Sequence, residues 1–119
     1  KSIMDNIVLD DPDFDAGQYN KIIKLVLMDN ISSDHKPGSL SLGQKQRIVI
    51  ARVLYQNSDI YIFDEYLSSV DPATSVLIHK GVLEYCKDSI CIFILHDIEL
   101  SKDCDKVIEM RDGKIYGNR

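Results

Sequence analysis

Ile60-Tyr61-Ile62-Phe63-Asp64-Glu65 and, further on, Ser89-Ile90-Cys91-Ile92-Phe93-Ile94-Leu95-His96 are the stretches on which the fold turns. Each is a short, continuous apolar run rich in isoleucine and bounded by turn formers. That pattern reads as a buried strand, over 59–63 and 89–95. Between them, Asp71-Pro72 marks a helix start, with Asp as N-cap and Pro at the first helical position, and the helix runs to about Cys86. Strand, helix, strand predicts α/β organisation around a largely parallel sheet, whose ligands gather at the carboxyl ends of the strands. Both runs close there on chemically capable residues, Asp64-Glu65 and His96-Asp97. If the strands are parallel neighbours, Asp64, Glu65 and His96 share one edge. Two carboxylates and an imidazole there can hold a metal ion, activate water and contact a phosphate.

Working outward, 18–28 carries apolar residues at 19, 22, 23, 26 and 27, which is helical spacing, and 41–56 carries them at 48, 49, 53 and 54. A short helix is predicted over 98–103. Lys106–Met110 and Lys114–Tyr116 flank Asp112-Gly113 and read as a hairpin. Turn-rich stretches fall at 10–15, 30–39 and 111–113. The chain has 119 residues, 45% hydrophobic and 28% charged, which suits one folded domain rather than a disordered segment. Its net charge of −5 argues against nucleic acid as the partner. No run nears the ~20 apolar residues of a membrane span, and no signal peptide is visible. Cys86, Cys91 and Cys104 form no Cys-x-x-Cys and do not cluster with His35, His79 or His96 at ligand spacing. They read as reduced structural thiols of a cytosolic protein.

Leu40-Ser41-Leu42-Gly43-Gln44-Lys45-Gln46-Arg47, then Ile60-Tyr61-Ile62-Phe63-Asp64-Glu65, then Ser68-Ser69-Val70-Asp71, resemble the signature motif, Walker B strand and D-loop of the ABC ATPase family, in order and spacing. His96 falls where that family has its switch histidine. Ser2–Ile7 resembles the segment after the Q-loop, and 106–117 the closing strands. Asn57–Tyr61 and Tyr66–Asp71 are most similar to subfamily C, the multidrug-resistance-associated exporters. The implied fold is the C-terminal part of an ABC-type P-loop NTPase domain: a largely parallel sheet flanked by helices, with part of the helical subdomain. About 1–45 would be helical subdomain and signature, and about 46–119 the Walker B strand, D-loop, switch histidine and closing strands. No Gly-x-x-x-x-Gly-Lys-[Ser/Thr] is present. Gly38 and Gly43 have its spacing, but Gln44 stands where lysine is needed and no strand precedes them. The chain therefore reads as a piece of a longer protein.

The resemblance implies ATP and Mg²⁺ as ligands. Ser41, Gly43 and Gln44 would grip the γ-phosphate of a nucleotide held by a second nucleotide-binding domain, at a helix N-terminus suited to anions. Asp64 would hold Mg²⁺ through oxygen. Glu65 would activate the attacking water, and His96 would bond the γ-phosphate and the facing D-loop. Asp71 would lie at the domain interface as well as capping its helix. The other implied partner is the transmembrane part of a transporter, with this domain on the cytoplasmic side of a membrane. Ordinary readings stand beside these: a serine cap with a flexible glycine, acidic residues closing a strand, a structural histidine. The order of the motifs favours the functional ones. Two residues depart from the family: Leu42 replaces the usual glycine, and Tyr66 follows Glu65 where proline is commoner. They keep open a regulatory or channel-gating module with little turnover. A soluble ABC ATPase that transports nothing is the further alternative.

Overall fold

Ser2-Ile3-Met4-Asp5 begins the chain with a capping box: the Ser2 hydroxyl accepts from the Asp5 N–H (3.2 Å), and the Asp5 carboxylate accepts from the Ser2 N–H (3.0 Å). In the computed structural model, which describes residues 1–118 and Pro37 by its backbone alone, this box starts helix α1 (Ile3–Val8). Periodicity did not predict α1, because six residues are too few to show a period. Asp15 caps α2 (Ala16–Leu25) through the Gln18 N–H. This helix stops short of the expected 28: Leu27 adopts a left-handed φ of 59°, which turns the chain so that Met28 still buries. A 3₁₀ turn (Pro37–Ser39) leads to α3 (Leu42–Tyr55), then β1 (Ile60–Asp64), α4 (Pro72–Tyr85), β2 (Ile90–Ile94), α5 (Ile98–Ser101), β3 (Ile108–Arg111) and β4 (Lys114–Asn118).

Helix α3 is the centre of the packing. Ile48, Ala51 and Leu54 share one continuous core with Ile3 and Ile7 of α1, Ile22 of α2 and Ile78 and Val82 of α4. Arg52 Nε donates to the Asn6 carbonyl (2.7 Å), and Arg47 donates to the carbonyls of Val26 and Leu27. The boundary expected near residue 45 falls inside this helix.

Strands β1 and β2 are parallel and in register, Ile60 opposite Ile90 through Asp64 opposite Ile94. Tyr61 and Phe63 turn inward, with Phe63 stacked on Phe93 at 5.2 Å. The opposite face carries Ile60, Ile62, Ile90, Ile92 and Ile94, each 48–65% exposed. The expectation of strands buried on both faces is therefore corrected. Alternation puts every second side chain on each face, and the described helices cover only one of them. The parallel sheet is this single pair. The hairpin β3–β4 forms a separate antiparallel sheet, turned by Asp112 (φ 50°) and Gly113 (φ 76°), two successive left-handed residues as a tight hairpin requires. All three cysteines are free thiols. Burial pushes Cys86 up to about 12, so it stays protonated at neutral pH.

Candidate functional site

The chain leaves β1 through Glu65, which adopts a left-handed φ of 49°. Its N–H donates to the Ile94 carbonyl (2.9 Å), extending the parallel ladder by one step. Two residues beyond Ile94, His96 Nε2 meets Glu65 Oε1. The carboxylate and imidazole expected to share an edge are thus in direct contact, and both are open to solvent (Glu65 44% and His96 86% exposed). Asp64 lies on the other face of β1 with Ile60 and Ile62, also exposed. Among the described residues no three His, Cys, Asp or Glu side chains converge to hold a metal ion. Asp64 offers one hard oxygen donor, which fits Mg²⁺, an ion bound by one or two carboxylates with water and phosphate filling the rest.

The second part of the site is the head of α3. Ser41 and Gln44 form a capping box: the Ser41 hydroxyl accepts from the Gln44 N–H (3.1 Å), and Gln44 Oε1 accepts from the Ser41 N–H (3.0 Å). The Lys45 N–H donates to the Ser41 carbonyl. That leaves the N–H groups of Leu42 and Gly43 for an anion at the positive end of a four-turn helix. Leu42 is 74% exposed there. The string from Gly38 to Lys45 is no phosphate loop: Gly38 lies in the 3₁₀ turn and Gly43 within α3.

The two parts are joined by 68–71. A Cβ on Gly43 would lie 2.5 Å from the Ser69 carbonyl oxygen, so glycine is needed here for helix-to-loop contact. Gln46 fastens the same seam: its Oε1 accepts from the Ser69 N–H (2.8 Å), and its Nε2 donates to the Ser68 hydroxyl (3.1 Å). Asp71 then caps α4 through the Thr74 N–H (3.0 Å). That backbone bond, with a smaller pull from Arg47, holds the Asp71 carboxyl below the usual range. A concavity of about 480 Å³ at the far end of α3 is lined by Asp10, Asp11, Asp13 and Asp15. Its charge would repel phosphate, and none of the site residues lines it.

One buried pair escaped the sequence reading. Tyr66, the residue after Glu65, has its Oη 2.7 Å from His79 Nδ1. Tyr66 stood out only as a departure. His79 shares the buried face of α4 with Ser75, Ile78 and Val82, a spacing that was the one available signal.

The sequence profile of the ABC transporter family matches residues 3–68, which include Ser41, Gly43, Gln44, Asp64 and Glu65. The chain belongs to the ABC transporter family. Among relatives, it is 36% identical over 95% of its length to ABC transporter C family member 3 of Arabidopsis thaliana, of which it spans 8%. It is 45% identical over 65% of its length to ABC transporter C family member 6 of the same plant, of which it spans 5%. It is 34% identical over 97% of its length to the Toxin RTX-I translocation ATP-binding protein of Actinobacillus pleuropneumoniae, of which it spans 18%. The likeness to subfamily C agrees with the wording of 57–71. Asp71 and His96 lie beyond the ABC transporter profile match. No helix among the described residues is long and apolar enough to cross a membrane.

Proposed function

We propose that this chain supplies the signature and water-activating side of an ATP-binding cassette, in a protein that couples ATP hydrolysis to transport across a membrane. The observation that carries the reading is the Glu65–His96 contact at the carboxyl end of two parallel strands, joined through 68–71 to a capped helix N-terminus. In this reading Glu65 orients the attacking water and takes its proton, which asks for an exposed carboxylate on a fixed turn. His96, already against Glu65, hydrogen-bonds the γ-phosphate. Asp64 would hold Mg²⁺, which supplies charge neutralisation for the phosphates. Ser41, Gly43 and Gln44 present the head of α3 to ATP bound by a second nucleotide-binding domain, and Asp71 lies at that interface. About 1–45 then belongs to the helical subdomain facing the transmembrane part, on the cytoplasmic side. The relatives named for transport and translocation support this assignment.

The exposed Leu42 side chain favours a second reading, in which the signature closes poorly on nucleotide and the module gates or regulates with little turnover. Glu65→Gln in the full-length protein separates the two. Loss of a general base lowers turnover about 10²–10⁴-fold, with ATP binding retained. Turnover near that of the unmutated protein excludes Glu65 as the base. An unmutated protein that binds ATP without steady hydrolysis supports the gating module.

A further inference from the structure

We propose that Tyr66 is a positioning residue for the Glu65–His96 pair, acting through its buried hydrogen bond to His79. The proposal rests on the reading of Glu65 and His96 as the hydrolytic pair.

A non-glycine residue in the left-handed region persists only where its surroundings over-determine it. Around Glu65 (φ 49°) two backbone bonds help: its N–H to the Ile94 carbonyl, and its carbonyl to the Ser68 N–H (3.2 Å). The stronger constraint is the next side chain. Tyr66 is 7% exposed, while Glu65 beside it faces solvent. The Tyr66 ring lies 4.7 Å from Phe63 and 5.6 Å from Phe93, and its hydroxyl meets His79 Nδ1 at 2.7 Å. Phe93 in turn packs edge-on against His79 at 4.9 Å. Phe63 precedes Glu65 by two residues and Phe93 precedes His96 by three, so both halves of the pair rest on one aromatic bed. His79, 1% exposed on α4, gives that bed a polar anchor.

The chemistry assigns the proton. His79 Nε2 is buried without a hydrogen-bond partner among the described residues. If Nδ1 carried the proton, the phenol hydrogen and the Nε2 lone pair would both be stranded. If the phenol donates to Nδ1, only the Nε2–H is left over, with the Leu100 backbone nearby. A phenol donating to a neutral ring is therefore the arrangement that strands the fewest buried polar atoms. Leu100 lies on α5, in the segment that follows His96, while His79 itself packs against Tyr66 and Phe93. A proline or alanine at 66 has no such anchor.

Tyr66→Phe keeps the ring and removes the bond. In the 119-residue chain, exchange of the Glu65 amide is expected to rise about tenfold or more. The proton NMR cross-peak between the Glu65 side chain and the His96 ring is expected to disappear. In the full-length protein, kcat for ATP hydrolysis is expected to fall about 10- to 100-fold with KM for ATP nearly unchanged, as displacement of a reacting group requires. Should Tyr66→Phe not fold, Tyr66→Phe with His79→Leu removes both polar partners without stranding either, and the same outcomes are expected. Unchanged exchange and an intact cross-peak in a folded variant would overturn the proposal. So would altered exchange with full kcat in a protein that hydrolyses ATP. If exchange changes as expected but the unmutated full-length protein has no ATPase activity, the functional reading fails while the anchoring of Glu65 stands.

Discussion

Glu65 costs the fold about 1–2 kcal/mol for its left-handed backbone, yet that conformation lets one residue face solvent while the next enters the core. The placement of Asp64, Glu65 and His96 at one strand edge was legible because each ends or follows an apolar run, and a strand end is a position that a sequence displays. His79 was not legible. It is one polar residue on an apolar helix face, and nothing local says that its partner lies across β1. Its burial has a pH consequence. The folded imidazole has its pKa held below the usual 6.5, chiefly by burial, while the Leu100 backbone and Asp103 oppose this more weakly. Below about pH 6.5 the unfolded chain binds the proton that the folded chain refuses, so this contribution is intact above that pH and lost as pH falls through the folded value. Urea midpoints are expected to drop between about pH 7.5 and 5.5, and less so in the Tyr66→Phe/His79→Leu variant. Equal drops in both proteins would show that other groups carry the effect.

At the scale of elements, the informative contact is the seam between α3 and 68–71. The signature glycine was expected to allow a phosphate to approach. What the structure shows is that Gly43 lets the Ser69 carbonyl approach, with Gln46 bonding both Ser68 and Ser69. Gly43→Ala is therefore expected to destabilise the chain by about 1–3 kcal/mol through overpacking, before any nucleotide is present. An unfolding free energy equal to that of the unmutated chain would mean that the seam opens freely. The cap of α4 was visible in Asp71-Pro72, and a serine cap was the ordinary reading of Ser41 at the head of α3, because a cap is decided within four positions; the Asp15 cap of α2 went unread. The capping box of α1, in Ser2 and Asp5, went unread, because no periodicity supported so short a helix.

Across the whole molecule, the described helices bury one face of the β1–β2 pair and leave five isoleucines on the other. The two continuous apolar runs had suggested strands covered on both sides. A continuous apolar run states only that both faces tolerate burial, not that this chain provides two covers. The same residues hold no phosphate loop, so in the proposed cassette the head of α3 is what this chain would offer to a phosphate. Titrating ATP calorimetrically into the 119-residue chain is expected to give a Kd far weaker than about 1 μM. Submicromolar affinity would place a complete nucleotide pocket in these residues and overturn the division of labour proposed for the cassette.

The residues by themselves determined the order of the strands and of the helices from α2 onward, the cap of α4, the hairpin at Asp112-Gly113 and the polar strand ends of the candidate site. Each of these follows from interactions within a few positions of chain. Only the tertiary structure decided that Glu65 touches His96, that Gly43 sits under Ser69, that Tyr66 anchors on His79, and which face of the sheet is covered. Those contacts join elements far apart in sequence. They depend on how α3 and α4 pack against the sheet, and that packing is a property of volumes and directions which no local pattern carries.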